Sequence, residues 1–351
     1  MADVHVVVGG QFGSEGKGHF TAQLARFLDG VGEKPFIIRT GGPNAGHTAL
    51  DGQGREWKLR HIPAAAVVCL DAPLGIAAGS EVDGVVLAGE ISELELAGIP
   101  VLERLSIDSQ ATLLEQHHLV REQYAASSES TDLVTRIGST GKGVGAARAD
   151  RIMREAGIYG GPTDVGRMAR DWVDTLSYPV IIEATQGYGL GLHAGFYPKC
   201  TSRDVRSIDV LAEVGISPWQ PGVDRVITWV VFRPNPIRVA GDSGPLTAET
   251  SWEDLGLEPE FTTVTKKMRR VGGWNVDLAL DAMAANGGPS PVVRPILMFA
   301  DYIDRALRDV SDFDDFDNEA LDALAAYNVG TPWYGYGTGP GSFAWVDDPY
   351  K

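Results

Sequence analysis

The segment Val4–Phe20 constrains the fold of this chain more than any other stretch. Val4–Val8 reads VHVVV and passes directly into Gly9–Phe20, GGQFGSEGKGHF. A short β-branched run bounded by glycine is the pattern of a strand buried on both faces. Glycines let backbone amides approach a ligand's oxygens, and a lysine with a helix N-terminus behind them supplies positive charge. The segment therefore predicts strand, phosphate-cradling loop and helix, which is how an α/β domain with a parallel sheet begins. It is not a Walker A loop, because Gly10 and Gly16 are separated by five residues and Lys17 is followed by Gly18.

The same punctuation recurs along the chain. The 43 glycines of 351 residues cluster at Gly9–Gly18, Gly41–Gly46, Gly138–Gly145, Gly157–Gly166, Gly187–Gly195 and Gly335–Gly341. Between them lie β-rich runs at Pro35–Arg39, Gly75–Ala78, Val85–Ala88, Pro179–Glu183, Val226–Phe232 and Ile296–Phe299. Helices are expected over Gly18–Asp29, Leu113–Ser127, Gly166–Ser177, Ser207–Val214, Val276–Asn286 and Glu319–Ala326, and the acidic stretch Asp309–Asp317 as a solvated loop. With no Pro/Ser-rich linker, the expectation is one α/β domain over residues 1–351, its mostly parallel sheet flanked by helices and its ligand loops at the strand ends.

Charge narrows the function. Thirty Lys+Arg against 47 Asp+Glu gives 30 − 47 = −17, which disfavours gripping polymeric nucleic acid. Anionic ligands must then meet local positive charge. Two cysteines, Cys69 and Cys200, make no disulfide framework, and no apolar run approaches a membrane span. A cytoplasmic setting, free of membrane partners, is expected.

Seven segments together carry a family resemblance. GQFGSEGKG at Gly10–Gly18 resembles the adenylosuccinate synthetase signature GQWGDEGKG, and GGPNAGHT at Gly41–Thr48 resembles that family's GGxNAGHT loop. STGKGVG at Ser139–Gly145 resembles TTGxGIG, with Arg154 fourteen residues beyond Thr140 as in the family. EATQG at Glu183–Gly187 resembles EGAQG, YPKCTS at Tyr197–Ser202 resembles YPxVTS, and YGTGP at Tyr336–Pro340 is similar to the family's STGP. TTVTKKMRRVGGW at Thr262–Trp274 is similar, more loosely, to the aspartate loop TTGRxRRxGW. Their order is the family's own.

The resemblance implies a P-loop-NTPase-like fold and a ligase. A nucleoside triphosphate phosphorylates the purine O6, and the amine of L-aspartate then displaces the phosphate. Fixed cations and donors are what such charge build-up requires. By resemblance, Ser14, Lys17 and His47 are catalytic. The triphosphate would be held by Gly13, Ser14, Glu15, Gly16, Lys17, Gly18, Gly46, His47 and Thr48, with Asp301, Gly337, Thr338, Gly339 and Pro340. The purine monophosphate would meet Ser14, Asn44, Ser139, Thr140, Gln186 and Thr201, with Arg154 reaching in from the other subunit of a homodimer. Thr263, Thr265, Arg269 and Arg270 would take the aspartate, and Ser14 and the Gly46 carbonyl would face Mg²⁺.

Two departures from the family pattern sharpen the expectation. Ser14 stands where the ordinary enzymes carry aspartate. That position borders the purine N1 and position 2, and the smaller serine leaves room for a 2-amino group. This resembles the phage 2-aminoadenylosuccinate synthetases (PurZ), implying dGMP as substrate and ATP or dATP as phosphoryl donor. Phe299 stands where the family's TKxD segment has the lysine of guanine recognition, which agrees with an adenine donor. The alternatives are an ordinary synthetase using IMP and GTP and, more remotely, a non-catalytic nucleotide sensor.

Overall fold

The computed structural model describes residues 1–123, 133–262 and 266–347. A nine-stranded sheet forms its centre, in the order Phe343–Trp345, Gly335–Gly337, Val293–Leu297, Val223–Phe232, Ala2–Gly9, Val180–Glu183, Phe36–Arg39, Leu74–Ile76, Leu105–Ile107. Every pairing is parallel except the edge pair Gly335–Gly337 with Phe343–Trp345. The expected mostly parallel α/β sheet is thus what the chain forms.

The first strand shows why. Val4, Val6 and Val8 pack with the helices Val165–Thr175, Ser207–Val214, Val276–Ala285 and Asn318–Leu324. Val7 faces the opposite core, built on Phe20, Leu24 and Leu28 of the helix Lys17–Gly30 and on Leu87 and Leu94 of Gly84–Leu96. A strand covered on both faces must be apolar at successive positions, so its residues read as a continuous run.

One expected strand is corrected. Val85–Ala88 lies in the helix Gly84–Leu96, because Asp83 accepts hydrogen bonds from the amides of Val85 (3.0 Å) and Val86 (3.1 Å) and caps it. Its buried residues Leu87, Glu90 and Leu94 fall on one helical stripe, while Val85 and Leu96 are exposed. The helix expected at Leu113–Ser127 begins at Gln116, since Thr112–Leu113 pairs as a strand with Glu81–Val82; it is described to Gln123, and positions 124–127 lie outside the described residues. Among the described residues no helix is long and apolar enough to cross a membrane.

Candidate active site

Loops that follow the strands Ala2–Gly9, Phe36–Arg39, Val180–Glu183 and Val223–Phe232 open, together with the glycine loop Gly138–Gly145, into one cavity of ≈ 590 Å³ at the carboxyl ends of the parallel strands. Lys17, Lys58, Lys199, Lys266, Arg238 and Arg269 line it against Glu56, Glu122 and Glu260. The cavity therefore runs counter to the −17 of the whole chain. Its walls carry the chemistry of an anion-binding pocket.

The first loop is braced from within. Gly16 adopts φ +91°, a left-handed conformation that turns the chain into the helix Lys17–Gly30. A Cβ on Gly18 would stand 2.7 Å from the Thr48 carbonyl oxygen, so this glycine lets the helix start lie against the loop carrying His47. The Glu15 carboxylate, fully buried, accepts from the amides of Gln11 (3.1 Å) and Gly13 (2.7 Å) and holds the Lys17 ammonium at 2.7 Å. Glu15 itself does not line the cavity, whereas Gly13, Ser14, Gly16, Lys17 and Gly18 do.

His47 faces the cavity beside Lys17, Gly46 and Thr48, and its Nδ1 lies 2.6 Å from a Glu183 oxygen. The other Glu183 oxygen accepts the Ala64 amide at 2.7 Å and lies 3.5 Å from the Arg39 guanidinium. Strand register sets this up, since Arg39 and Glu183 are paired residues on adjacent parallel strands. Burial, with Arg39 adding to it, lowers the His47 pKa to about 4, while the charges of His47 and Arg39 overcome burial and hold Glu183 down at about 2. With Glu183 ionised, the His47 proton sits on Nδ1 and Nε2 is the nitrogen left for a substrate.

Ser14 and Gln186 line the cavity with left-handed backbones, φ 59° and 54°. Such conformations are costly for non-glycine residues and concentrate at functional sites. The Asn44 and Gln186 side-chain oxygens are buried without a hydrogen-bond partner among the described residues, and both residues face the cavity. Thr140 and Thr201 line it too. Ser139 does so while donating its hydroxyl to Glu122 at 3.2 Å, a carboxylate that also takes the Gly143 and Gly145 amides at 2.9 and 2.6 Å.

Other expected residues lie elsewhere. Arg154 is an exposed residue closing the helix Val144–Met153, and its guanidinium donates to the Ile152 carbonyl at 2.6 Å. Asp301 is buried against Arg308 at 3.0 Å, and burial raises its pKa. Gly337, Thr338, Gly339 and Pro340 are not among the lining residues; the Thr338 hydroxyl is turned to the Val310 carbonyl at 2.5 Å. Arg269 lines the cavity, whereas Arg270 points to Glu249 and Gly244. Thr263 and Thr265 lie outside the described residues.

Several participants went unmarked in the sequence. Glu183 sat inside a recognised motif without a role, although a lone carboxylate ending an apolar strand before a glycine loop is a readable signal. Arg238, whose pKa burial lowers to about 10, has its guanidinium 4.5 Å over the Phe12 ring and fills the wall behind the first loop. Glu260 lines the cavity, Arg233 is buried behind it, and neither carries a local signal. Outside the cavity, Glu115, His117 and His118 place ligand atoms within 4.8 Å of one another. However, His118 Nδ1 accepts the Glu115 amide at 2.9 Å, which leaves its proton on Nε2 towards Asp150 and no lone pair for a metal.

Known proteins share this architecture. The adenylosuccinate synthetase family model matches residues 6–161. The adenylosuccinate synthetase of Pyrococcus horikoshii is 35% identical over 349 residues, covering 95% of each chain. That of Methanocaldococcus jannaschii is 37% identical over 296 residues, covering 80% of this chain and 79% of its own. Among solved structures, cyanophage S-2L succinoaminodeoxyadenylate synthetase (PurZ), bound to dGMP and to dATP as an energy donor, superposes with a TM-score of 0.78 at 26% identity, covering 100% of this chain and 97% of that one. The fully ligated Plasmodium falciparum adenylosuccinate synthetase shares the fold at TM-score 0.81 and 17% identity, covering 98% and 100%. With near-complete coverage by such relatives and a cation-lined cavity built from their motifs, this chain belongs to the adenylosuccinate synthetase family and is a C–N ligase of that type, joining aspartate to a purine nucleotide.

Proposed function

We propose that this ligase joins L-aspartate to C6 of dGMP, with ATP or dATP as phosphoryl donor, to give N6-succino-2-amino-2′-deoxyadenylate, a precursor of 2-aminoadenine DNA. The observation that carries the reading is Ser14. It is an exposed, neutral, small side chain on the cavity wall at the motif position where ordinary synthetases place aspartate. Exchange of a carboxylate for a hydroxyl removes both bulk and charge, which favours a purine bearing an amino group at position 2. The likeness to a synthetase bound to dGMP and dATP supports the same reading. So does Phe299, an apolar ring on the cavity wall in place of the lysine of guanine recognition.

In this reading Lys17 and the amides of Ser14–Gly18 bind the transferring phosphates, assisted by the start of the helix Lys17–Gly30. The negative charge of the bound phosphates would raise the His47 pKa and protonate it, so that Nε2–H donates to O6 or the γ-phosphate while Nδ1–H stays on Glu183. The γ-phosphoryl passes to O6 as the purine loses its N1 proton and the nucleoside diphosphate departs; the aspartate amine then attacks C6 and loses a proton as inorganic phosphate leaves. Thr140, Gln186, Asn44 and Thr201 orient the monophosphate, and Arg269 forks onto an aspartate carboxylate. The Ser14 hydroxyl and Gly46 carbonyl are hard oxygen donors on the cavity wall, and both are uncharged. They fit a Mg²⁺ ion that arrives on the phosphates and keeps several waters; bound there, it would offset phosphate charge. The proposal includes a homodimer in which Arg154 serves the partner's site, a single functional unit over residues 1–351, and action in the cytoplasm, that of a host if the chain is phage-encoded.

The test supplies dGMP and IMP in parallel with L-aspartate, Mg²⁺ and ATP and follows the succino product. Turnover of dGMP is expected, and turnover of IMP alone would sink the proposal in favour of the reading carried by the archaeal relatives' names. Ser14→Asp is expected to abolish dGMP turnover, and unchanged dGMP turnover would overturn the steric account of Ser14.

A further inference from the structure

Arg233 follows the long strand Val223–Phe232 and has no exposed surface. Its backbone is locked to the first loop from both sides: its amide donates to Gln11 Oε1 at 3.1 Å, and its carbonyl accepts from Gln11 Nε2 at 3.0 Å. One arm of the guanidinium donates to the Ser14 carbonyl at 3.0 Å and to Glu260 Oε2 at 3.2 Å, and the other reaches Glu260 Oε1 at 2.5 Å. The flat of the guanidinium lies 4.4 Å over Phe299. One buried fork therefore touches Ser14, Phe299 and Glu260, two of which are the chain's departures from the ordinary family pattern.

Glu260 is claimed a second time. Arg269 approaches it at 3.7 Å, beyond hydrogen-bonding distance, and the buried Arg269 Nε has no hydrogen-bond partner among the described residues. Arg269 is thus an underpaired cation on the cavity wall, sharing a carboxylate that Arg233 already holds by two bonds. When a substrate carboxylate takes Arg269, Glu260 is left to Arg233 alone, and the arm that Glu260 shares with the Ser14 carbonyl is redistributed between them.

We propose that Arg233 is a positioning residue which, through Glu260, couples carboxylate binding at Arg269 to the placement of Ser14, so that aspartate and the purine monophosphate reinforce one another's binding. This rests on reading the cavity as the site of both substrates. A lysine keeps the charge but not the two-armed geometry, so the coupling belongs to the guanidinium.

Calorimetric titration of the full-length protein with the purine monophosphate, with and without saturating L-aspartate, measures the coupling directly. For the wild type, aspartate is expected to tighten monophosphate binding at least about fivefold, the low end of ordinary coupling. In Arg233→Met, which retains an apolar contact with Phe299, the ratio should fall to about one, and Arg233→Lys should retain only part of it. Glu260→Gln removes the shared charge at a partly exposed position and carries the same expectation should Arg233→Met fail to fold. A merely structural Arg233 would lower the thermal midpoint and leave the ratio unchanged, and that result, or a wild-type ratio of one, overturns the proposal. The titration uses whichever of dGMP or IMP the wild type turns over, so an error about the base leaves the coupling test intact.

Discussion

Lys17 and Arg269 are both cations on the cavity wall, and both are paired with a carboxylate of the chain, yet the pairs are built differently. Glu15 is fixed by two loop amides and holds Lys17 at 2.7 Å in a fully buried contact. Glu260 is spent on Arg233 and stands 3.7 Å from Arg269. In the proposed reading, the first arrangement delivers a lysine already in place for a triphosphate, and the second leaves an arginine whose bonds a substrate would complete.

The contrast makes its largest prediction at Lys17. Lys17→Met removes a fixed cation from the transferring phosphoryl group and should lower kcat/KM by roughly 10³-fold. It also strands the buried Glu15 carboxylate, so urea unfolding should show a loss of about 3–5 kcal/mol. Loss of activity with unchanged stability would mean that Glu15 is not the brace the geometry makes it.

Acid acts on two buried histidines away from both pairs. His5, stacked on Trp229 in the sheet, and His61, whose Nε2 accepts the Asp83 amide at 3.2 Å, are both buried, and burial lowers their pKa values to about 4 and about 3. The folded state thus keeps them neutral, while the unfolded chain binds protons from about pH 6.5 downwards. Stability should therefore be level above pH 6.5 and decline as the pH falls towards 4, by about 3 kcal/mol for each histidine at that point. Denaturation across pH 4–8 checks this, and His61→Gln should flatten the slope. A pH-independent midpoint would show that neither ring is held neutral.

What the sequence reveals differs between the two halves for a physical reason. Gly13, Gly16, Lys17, Gly46 and His47 act within contiguous loops, where glycine at a left-handed turn and lysine before a helix have local causes. The sheet was readable too, because a strand covered on both faces must be apolar throughout. Arg39, Arg233 and Glu260 have no such local signature. Arg39 meets Glu183 only through the register of two strands, and Arg233 meets Ser14 across 219 positions of chain. Val85–Ala88 misled because its β-branched residues matched a strand while the cap that decides the matter, Asp83, lies outside the run. In the aspartate-type loop two adjacent arginines were equivalent candidates, and only tertiary placement separates them.

Arg269 tests the looser half. Arg269→Met should raise the aspartate KM roughly 10- to 100-fold, the cost of one charge-assisted contact, with kcat nearly kept. Since Glu260 retains Arg233, stability should barely change, the reverse of the Lys17 result. A large loss of stability would show that the 3.7 Å pair is structural.

The smallest effect is expected at the neighbouring residue. Arg270 holds Glu249 through two arms at 2.7 and 2.5 Å and the Gly244 carbonyl at 2.9 Å, on the outer side of the loop. The Glu249 side chain is 42% exposed, so solvent screens the pair and its loss should cost about 1 kcal/mol or less. Arg270→Met should accordingly leave the aspartate KM within about twofold of wild type, because no arm of this arginine reaches the cavity. Steady-state kinetics on the two methionine variants side by side decides the matter. Equal increases in KM would mean that both arginines turn inward when aspartate binds, and the division of labour between them would have to be abandoned.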